Sequence, residues 1–183
     1  QIGAGSGTKE DHGDLVYLGN SNARYLYGFN ISAQWKGFDF SMMFQGVGKR
    51  KIMIDAAAIA PFYTTYQMPW TIHRDYWTED NQDAFWPRLY DYKTNNGGEN
   101  FNFRPSDKWV QDASYLRLKN ITLGYTIPYT KKYVNSVRVY ITGNDIWEHS
   151  DLLKVFDPEA GNNVGRNYYP FFRTWAFGVN ITF

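Results

Sequence analysis

Apolar and polar residues alternate along several stretches of this chain, and the alternation predicts strands rather than helices. From Tyr25 to Trp35 the odd positions are Tyr25, Tyr27, Phe29, Ile31, Ala33 and Trp35, while Leu26, Gly28, Asn30, Ser32, Gln34 and Lys36 fill the even ones. Side chains of a strand point to opposite faces with period two, so residues 25–36 form a two-faced strand. After Lys36-Gly37 the parity inverts: Phe38, Phe40, Met42 and Phe44 are now the apolar set, against Asp39, Ser41, Met43 and Gln45. A two-residue hairpin turn demands this inversion. It predicts a second strand at 38–47 and the same-face pairs Trp35 with Phe38, Ala33 with Phe40, Ile31 with Met42, and Phe29 with Phe44.

Three further strands follow from the same pattern. Residues 115–127 place Ile121, Leu123, Tyr125 and Ile127 on one face and Asn120, Thr122, Gly124 and Thr126 on the other. The first turn of this strand breaks the pattern, because Leu116 and Leu118 fall on the polar parity while Arg117 and Lys119 fall on the apolar one. That end therefore either rises out of the apolar layer or carries a bulge. Pro128, which lacks an N–H, is expected to end the strand. A fourth strand at 136–147 sets Val137, Val139 and Ile141 against Arg138, Tyr140, Thr142 and Asn144. The fifth, at 171–183, carries Phe171, Trp175, Phe177, Val179, Ile181 and Phe183 on one parity, interrupted only by Arg173.

The connections alternate in length: two residues, then roughly 65, then about eight, then roughly 22. Short turns on one side and long loops on the other characterise transmembrane barrels, whereas unstructured loops beyond about 15 residues argue against a compact soluble domain. The expected fold is thus all-β, an antiparallel transmembrane β-barrel segment with long outer loops at 48–114 and 148–170. Strand parity then gives a direction. The Lys36-Gly37 turn and the end of the fifth strand lie on the periplasmic side, and the long loops are extracellular. Five strands do not close a barrel, since the smallest bacterial examples need about eight. The chain is therefore expected to be a piece of something longer.

Composition agrees with half-exposed strands. Aromatic residues reach 19% while hydrophobic residues total 43% with a mean hydropathy of -0.54. No run of about 18 apolar residues is present, which excludes a membrane-spanning helix but not spanning strands. A net charge of +1 supplies no general attraction to nucleic acid. The absence of cysteine excludes disulfides and thiolate metal sites. Asn30-Ile31-Ser32, Asn120-Ile121-Thr122 and Asn180-Ile181-Thr182 match a glycosylation pattern, yet each places its polar pair on one strand face and Ile on the other, so they read as strand alternation.

Catalytic chemistry finds little support. Glu79, Asp80 and Asp83 form one acidic group and Asp157 with Glu159 another, but carboxylates adjacent on a loop are ordinarily solvated or used in turns. His12, His73 and His149 lack ligand spacing and are read as surface histidines, and no phosphate loop, nucleophile elbow or zinc motif occurs. No catalytic residue, metal or cofactor is assigned, and the chain is read as a non-enzyme. More informative is the aromatic stretch Trp70, Tyr76, Trp77, Phe85, Trp86, Tyr90 and Tyr92, with Arg74 and Arg88 within it. Exposed aromatics and arginines stack on sugar rings and anchor interfaces, whereas the plainer reading packs them within the loop itself. Trp70, Arg74, Trp77, Trp86 and Arg88 are the loop's candidate contacts to a partner or ligand. Trp35, Phe38 and Tyr125, at the expected periplasmic strand ends, are candidates for an interfacial aromatic girdle.

Several motifs resemble one family. The run Tyr115-Leu116-Arg117-Leu118-Lys119-Asn120, then Leu123-Gly124-Tyr125, Pro128, Val137-Arg138-Val139-Tyr140 and Gly143-Asn144, resembles the C-terminal barrel region of SusC-like (SusC/RagA) TonB-linked outer-membrane transporters. Asp157-Pro158-Glu159, Tyr169-Pro170, Arg173, Gly178 through Phe183, Gly19-Asn20, Tyr27-Gly28, Tyr76-Trp77-Thr78 and Pro87-Arg88-Leu89 extend the likeness over nearly the whole chain. The resemblance implies the last strands of a barrel of about 22 strands, with its plug absent from this sequence. It further implies import of oligosaccharides or peptides under a SusD-like surface lipoprotein, powered by the TonB complex. Gly178, Ile181 and Phe183 fall at the spacing of the signal read by the barrel-assembly machinery, with Ala176 where a polar residue is usual. The competing expectation is a secreted carbohydrate-binding β-sandwich, whose apolar faces would meet in a core instead of facing outer-membrane lipid.

Overall fold

The computed structural model describes residues 8, 10–63, 68–90, 101–103, 106–131, 133–160 and 171–183. Its centre is one five-stranded antiparallel sheet in which neighbours in sequence are neighbours in space. The strands are β1 (Tyr25–Trp35), β2 (Phe38–Gly48), β5 (Tyr115–Lys131), β6 (Val134–Ser150) and β7 (Thr174–Thr182), in the order β1-β2-β5-β6-β7. Between β2 and β5 lie β3 (Lys51–Met53) and β4 (Val110–Asp112), which pair as a separate two-stranded sheet, and the single-turn helix α1 (Ala56–Ile59).

The first hairpin pairs Trp35 with Phe38, Ala33 with Phe40, Ile31 with Met42 and Phe29 with Phe44, the register that the alternation predicts. Lys36 and Gly37 both take positive φ, 47° and 87°, as a two-residue turn matched to the strand twist requires. The irregular start of the third sheet strand is a bulge. Met43 pairs with Asn120 and Phe44 with Leu118, leaving Lys119 as the extra residue of β5; across the other edge, Asn120 meets Asn144 and Leu118 meets Trp147. The extra residue flips the parity. Leu116 and Leu118 thereby join Phe44 on the apolar face, and Arg117 joins Gln45 and Glu148 on the polar one.

Pro128 does not end its strand. β5 runs to Lys131, and Pro128 pairs with Ser136. The reason lies in which way the missing N–H points. Thr126 donates its N–H to Gly37 O (2.8 Å), toward β2, so Pro128, two residues on, points the same way. By then β2 has already turned, and no partner is lost. The terminal strand begins later than the alternation suggests, at Thr174, so Phe171 to Arg173 lie outside the sheet. Lys132, Tyr92 and the Tyr169-Pro170 motif lie outside the described residues.

The sheet's two faces differ sharply. On one, Phe29, Ile31, Trp35, Phe38, Leu123, Val139, Phe177, Val179 and Ile181 are all exposed, with Phe177 at 80%. A sandwich would cover this face with a second sheet; among the described residues the other sheet is the small β3–β4 pair. The hydrophobic core instead sits in the segments joining the strands. Ile52, Ile54, Ile59, Trp86, Phe103 and Trp109 from between β2 and β5 pack with Leu152 and Phe156, which follow β6. The β3–β4 sheet runs on directly from β2 and leads into β5, so this core lies at the end of the sheet away from the Lys36-Gly37 turn.

Candidate functional site

Three surfaces of this fold carry chemistry, and the first is the exposed apolar face. On β1 it extends from Tyr25 to Trp35, ten steps or about 33 Å of strand, which at a tilt of about 40° spans about 25 Å. That is the height of the apolar band of a transmembrane barrel. Aromatic rings stand at both ends. Near the Lys36-Gly37 turn, the Phe38 and Tyr125 rings lie 4.5 Å apart and Lys36 Nζ sits 4.9 Å from the Trp35 ring. At the other end stands Tyr25, 48% exposed.

The opposite face is polar and internally hydrogen-bonded. Asn120 donates to Thr142 Oγ1 (3.0 Å) and Asn144 Oδ1 (2.9 Å), and the Thr122 and Thr142 hydroxyls are 2.9 Å apart. Arg138 donates to both carboxylate oxygens of Asp39, at 2.9 and 2.5 Å, reaching across the whole width of β5. The pair passes over Gly124, where a Cβ would strike Asp39 and Arg138. Gly178 has a similar role on β7: the Tyr140 ring lies over it, in the space a side chain would need. Paired charges on this face and bare hydrocarbon on the other suit a wall between water and lipid.

Beyond the bulge, on the polar face of β5 and β6 at the level of Gln45 and Gly28, an ionic cluster gathers. Arg117, whose side chain is 3% exposed, donates to Glu148 and to both oxygens of Asp157 (2.8 Å each), with Glu159 Oε1 3.1 Å from its Nη1. Lys119 Nζ lies 2.7 Å from Asp145 and 3.2 Å from Glu159. Phe171 covers both cations, its ring centre 5.3 Å from Arg117 Cζ and 5.4 Å from Lys119 Nζ. A cleft of about 250 Å³ beside them is also lined by Lys154 and Arg173. Two expectations are thereby corrected: Phe171 stacks on the buried Arg117 and the half-buried Lys119, and Arg173 joins this polar cleft rather than interrupting an apolar strand face. The Asp157-Glu159 acidic pair is the counter-charge for Arg117 and Lys119, and it ties the segment after β6 onto β5. The parity break at Leu116 to Lys119 was the one local sign of this site.

The third surface is the aromatic loop. Its backbone is held by Trp77 N–H to Trp86 O (2.9 Å), Trp86 N–H to Asp75 O (3.1 Å) and a reciprocal pair between Thr78 and Asn81. Asp75 accepts from the Phe85 N–H (3.0 Å) and the Asn81 amide (3.1 Å), and these bonds, the backbone one foremost, hold its carboxyl below the usual carboxylate range. His73 is not a surface histidine but is buried, 2% exposed, and anchors the loop to the core. Nε2–H donates to Ile59 O (2.6 Å) and Nδ1 accepts the Trp70 N–H (2.9 Å), so the neutral ring satisfies both nitrogens. Burial pushes its pKa below the ordinary 6.5, against the Ile59 hydrogen bond.

The five candidate contact residues divide on this frame. Trp86 is a core residue, 4% exposed, with its ring 5.6 Å from Trp109 and edge-on to His73, so it has no face to offer a partner. Trp70 and Arg74 are exposed beside the loop's 3-10 turn, Thr71–Arg74. Trp77 and Arg88 come together and, with Tyr76 and Glu79, line an open cleft of about 330 Å³.

No family model matches the chain. Among curated proteins, the TonB-dependent receptor P26 of Formosa agariphila is 30% identical over 93% of this chain, and the TonB-dependent receptor P3 of the same organism 26% identical over 93%. The TonB-dependent receptor SusC of Bacteroides thetaiotaomicron is 36% identical over 43% of the chain. The match takes up 18%, 17% and 8% of these relatives, respectively, so the chain spans less than a fifth of their length. Solved structures of the RagAB peptide importer superpose on 86% of the chain and 17% of theirs, with TM-scores of 0.63 and 0.64 at 25% identity. By sequence and by fold, this chain is similar to the TonB-dependent receptors, SusC among them, and it forms an antiparallel segment of a transmembrane β-barrel.

Proposed function

We propose that this chain forms the C-terminal part of the barrel wall of an outer-membrane transporter that imports oligosaccharides or peptides with a SusD-like surface lipoprotein, driven by the TonB complex. The observation that carries this reading is the exposed apolar band backed by a hydrogen-bonded polar face on an up-and-down sheet. The resemblance to receptors and importers, none of which is named as an enzyme, supports a transport role over a catalytic one. RagAB, described as a peptide importer, favours keeping peptides beside glycans as cargo.

In this reading the Lys36-Gly37 turn and Phe183 are periplasmic, and the segments around 48–114 and 148–170 are extracellular. Trp35, Phe38 and Tyr125 then form the periplasmic girdle, and Gly178, Ile181 and Phe183 are read by the barrel-assembly machinery. Trp70, Arg74, Trp77 and Arg88 face outward from the hydrogen-bonded loop, where a lipoprotein lid or cargo would meet them. The test uses the full-length protein. It should fractionate with the outer membrane, show heat-dependent mobility, and copurify with a lipoprotein encoded beside it; a soluble protein without a mobility shift would refute the reading.

A further inference from the structure

The end of the apolar face away from the Lys36-Gly37 turn is built differently from the other end. Two cations flank one exposed ring there: Arg24 Cζ is 5.7 Å and Lys49 Nζ 5.6 Å from the centre of Tyr25. Both are exposed, and neither has a carboxylate partner among the described residues. They open onto a cleft of about 560 Å³ lined also by Tyr17, Asn20, Asn22 and Lys51. Lys51 is already paired with Asp112, at 3.0 Å, so two positive charges are left uncompensated. The cleft's wall is pinned in place, because Lys51 donates its N–H to Asn20 O (2.9 Å) and Arg50 Nε donates to Ser21 O (3.3 Å).

We infer that Arg24, Lys49 and Tyr25 form a binding site for a phosphate-bearing lipid headgroup of the leaflet at this end of the strands. The inference rests on the membrane placement proposed above. Tyr25 is the last outward residue of the apolar band on β1, so its ring lies at headgroup depth, where amphipathic aromatics settle. Acyl chains would lie along Tyr27, Phe29 and Ile31 below it, while the guanidinium and ammonium groups meet the phosphate oxygens. A free anion has no use for the adjoining apolar band, which is why a lipid is the occupant assigned. Lys36 beside Trp35 offers no equivalent at the other end, since it is a single cation that lines one cleft with the Asp39-Arg138 pair.

The test places the full-length transporter in phosphatidylcholine nanodiscs containing lipid A or its phosphate-free form and counts bound lipid by native mass spectrometry. Lipid A should bind in preference to the phosphate-free form. Substituting Arg24→Gln together with Lys49→Gln should weaken its binding about 25-fold, each charge giving roughly fivefold. Arg24→Lys with Lys49→Arg should retain it, and heat-dependent mobility reports that each variant is assembled. Equal binding of the two lipids, or an unchanged double-Gln variant in an assembled barrel, overturns the site alone. Displacement by inorganic phosphate at the lipid's own concentration overturns the lipid as occupant. A wild-type protein that fails to enter the bilayer overturns the membrane placement, and the site with it.

Discussion

Replacing Ile31 with Arg tests the two-faced wall most directly. Ile31 lies four residues from Trp35 and six from Tyr25 on the same face of β1, about 10 Å along the membrane normal from one aromatic end of a band about 25 Å tall. It is 47% exposed and pairs with Met42 at the same level, so no polar group of the sheet lies beside it to receive a charge. An Arg near the midplane of a barrel's lipid face costs about 2–4 kcal/mol. Ser32→Arg, one residue on, projects from the exposed polar face and should cost less than about 1 kcal/mol. Ala33→Arg, back on the lipid face but closer to the girdle, should fall between the two. Guanidinium unfolding of the full-length protein in lipid vesicles, followed by tryptophan fluorescence, gives all three numbers. A Ser32→Arg variant destabilised as much as Ile31→Arg would refute the two-faced wall, because a period of two is what separates the lipid face from the polar one.

Other consequences concern the loops and the cluster that holds them. Arg117→Ala leaves Asp157, Glu148 and Glu159 without their main counter-charge in a buried setting, and should destabilise the segment after β6 by about 3–5 kcal/mol; faster amide exchange over 151–160, with β1 and β2 unchanged, is the expected readout. Trp109→Ala removes a ring that is 1% exposed and in contact with Trp86, Phe85 and Phe103, for a loss of about 3–5 kcal/mol in the stability of the loop core; unchanged proteolysis of 51–90 would contradict it. Because its folded-state pKa lies below the ordinary 6.5, His73 contributes stability that is fully present above pH 6.5 and is lost as pH falls through the folded-state value. Exchange protection of the Ile59 to His73 region should therefore weaken on acidification below pH 6.5, and His73→Gln should remove the pH dependence.

The strands and their register were legible because strand periodicity is a local property: Phe29 to Phe44 carries its own pairing in the inversion of parity across Lys36-Gly37. The loops were not. Trp86 and Trp77 stand in one aromatic run, with no period to separate them, yet one is buried against Trp109 and the other lines an open cleft. Which aromatic is core depends on chain from three distant segments meeting, namely β3 with α1, the stretch around Phe103 and Trp109, and the residues after β6.

Arg117 shows the division between local pattern and tertiary structure most clearly. Alternation alone determined that this chain builds a sheet with one apolar and one polar face, because period two follows from backbone geometry at each residue. It also marked the start of β5 as irregular, without saying which way the irregularity resolves. Only the tertiary structure decided that Lys119 is the bulged residue, that Arg117 therefore turns to the polar face, and that Asp157 and Glu159, 40 and 42 positions away, complete its charge. A buried guanidinium is tolerable only beside carboxylates, and no local pattern brings those carboxylates to it.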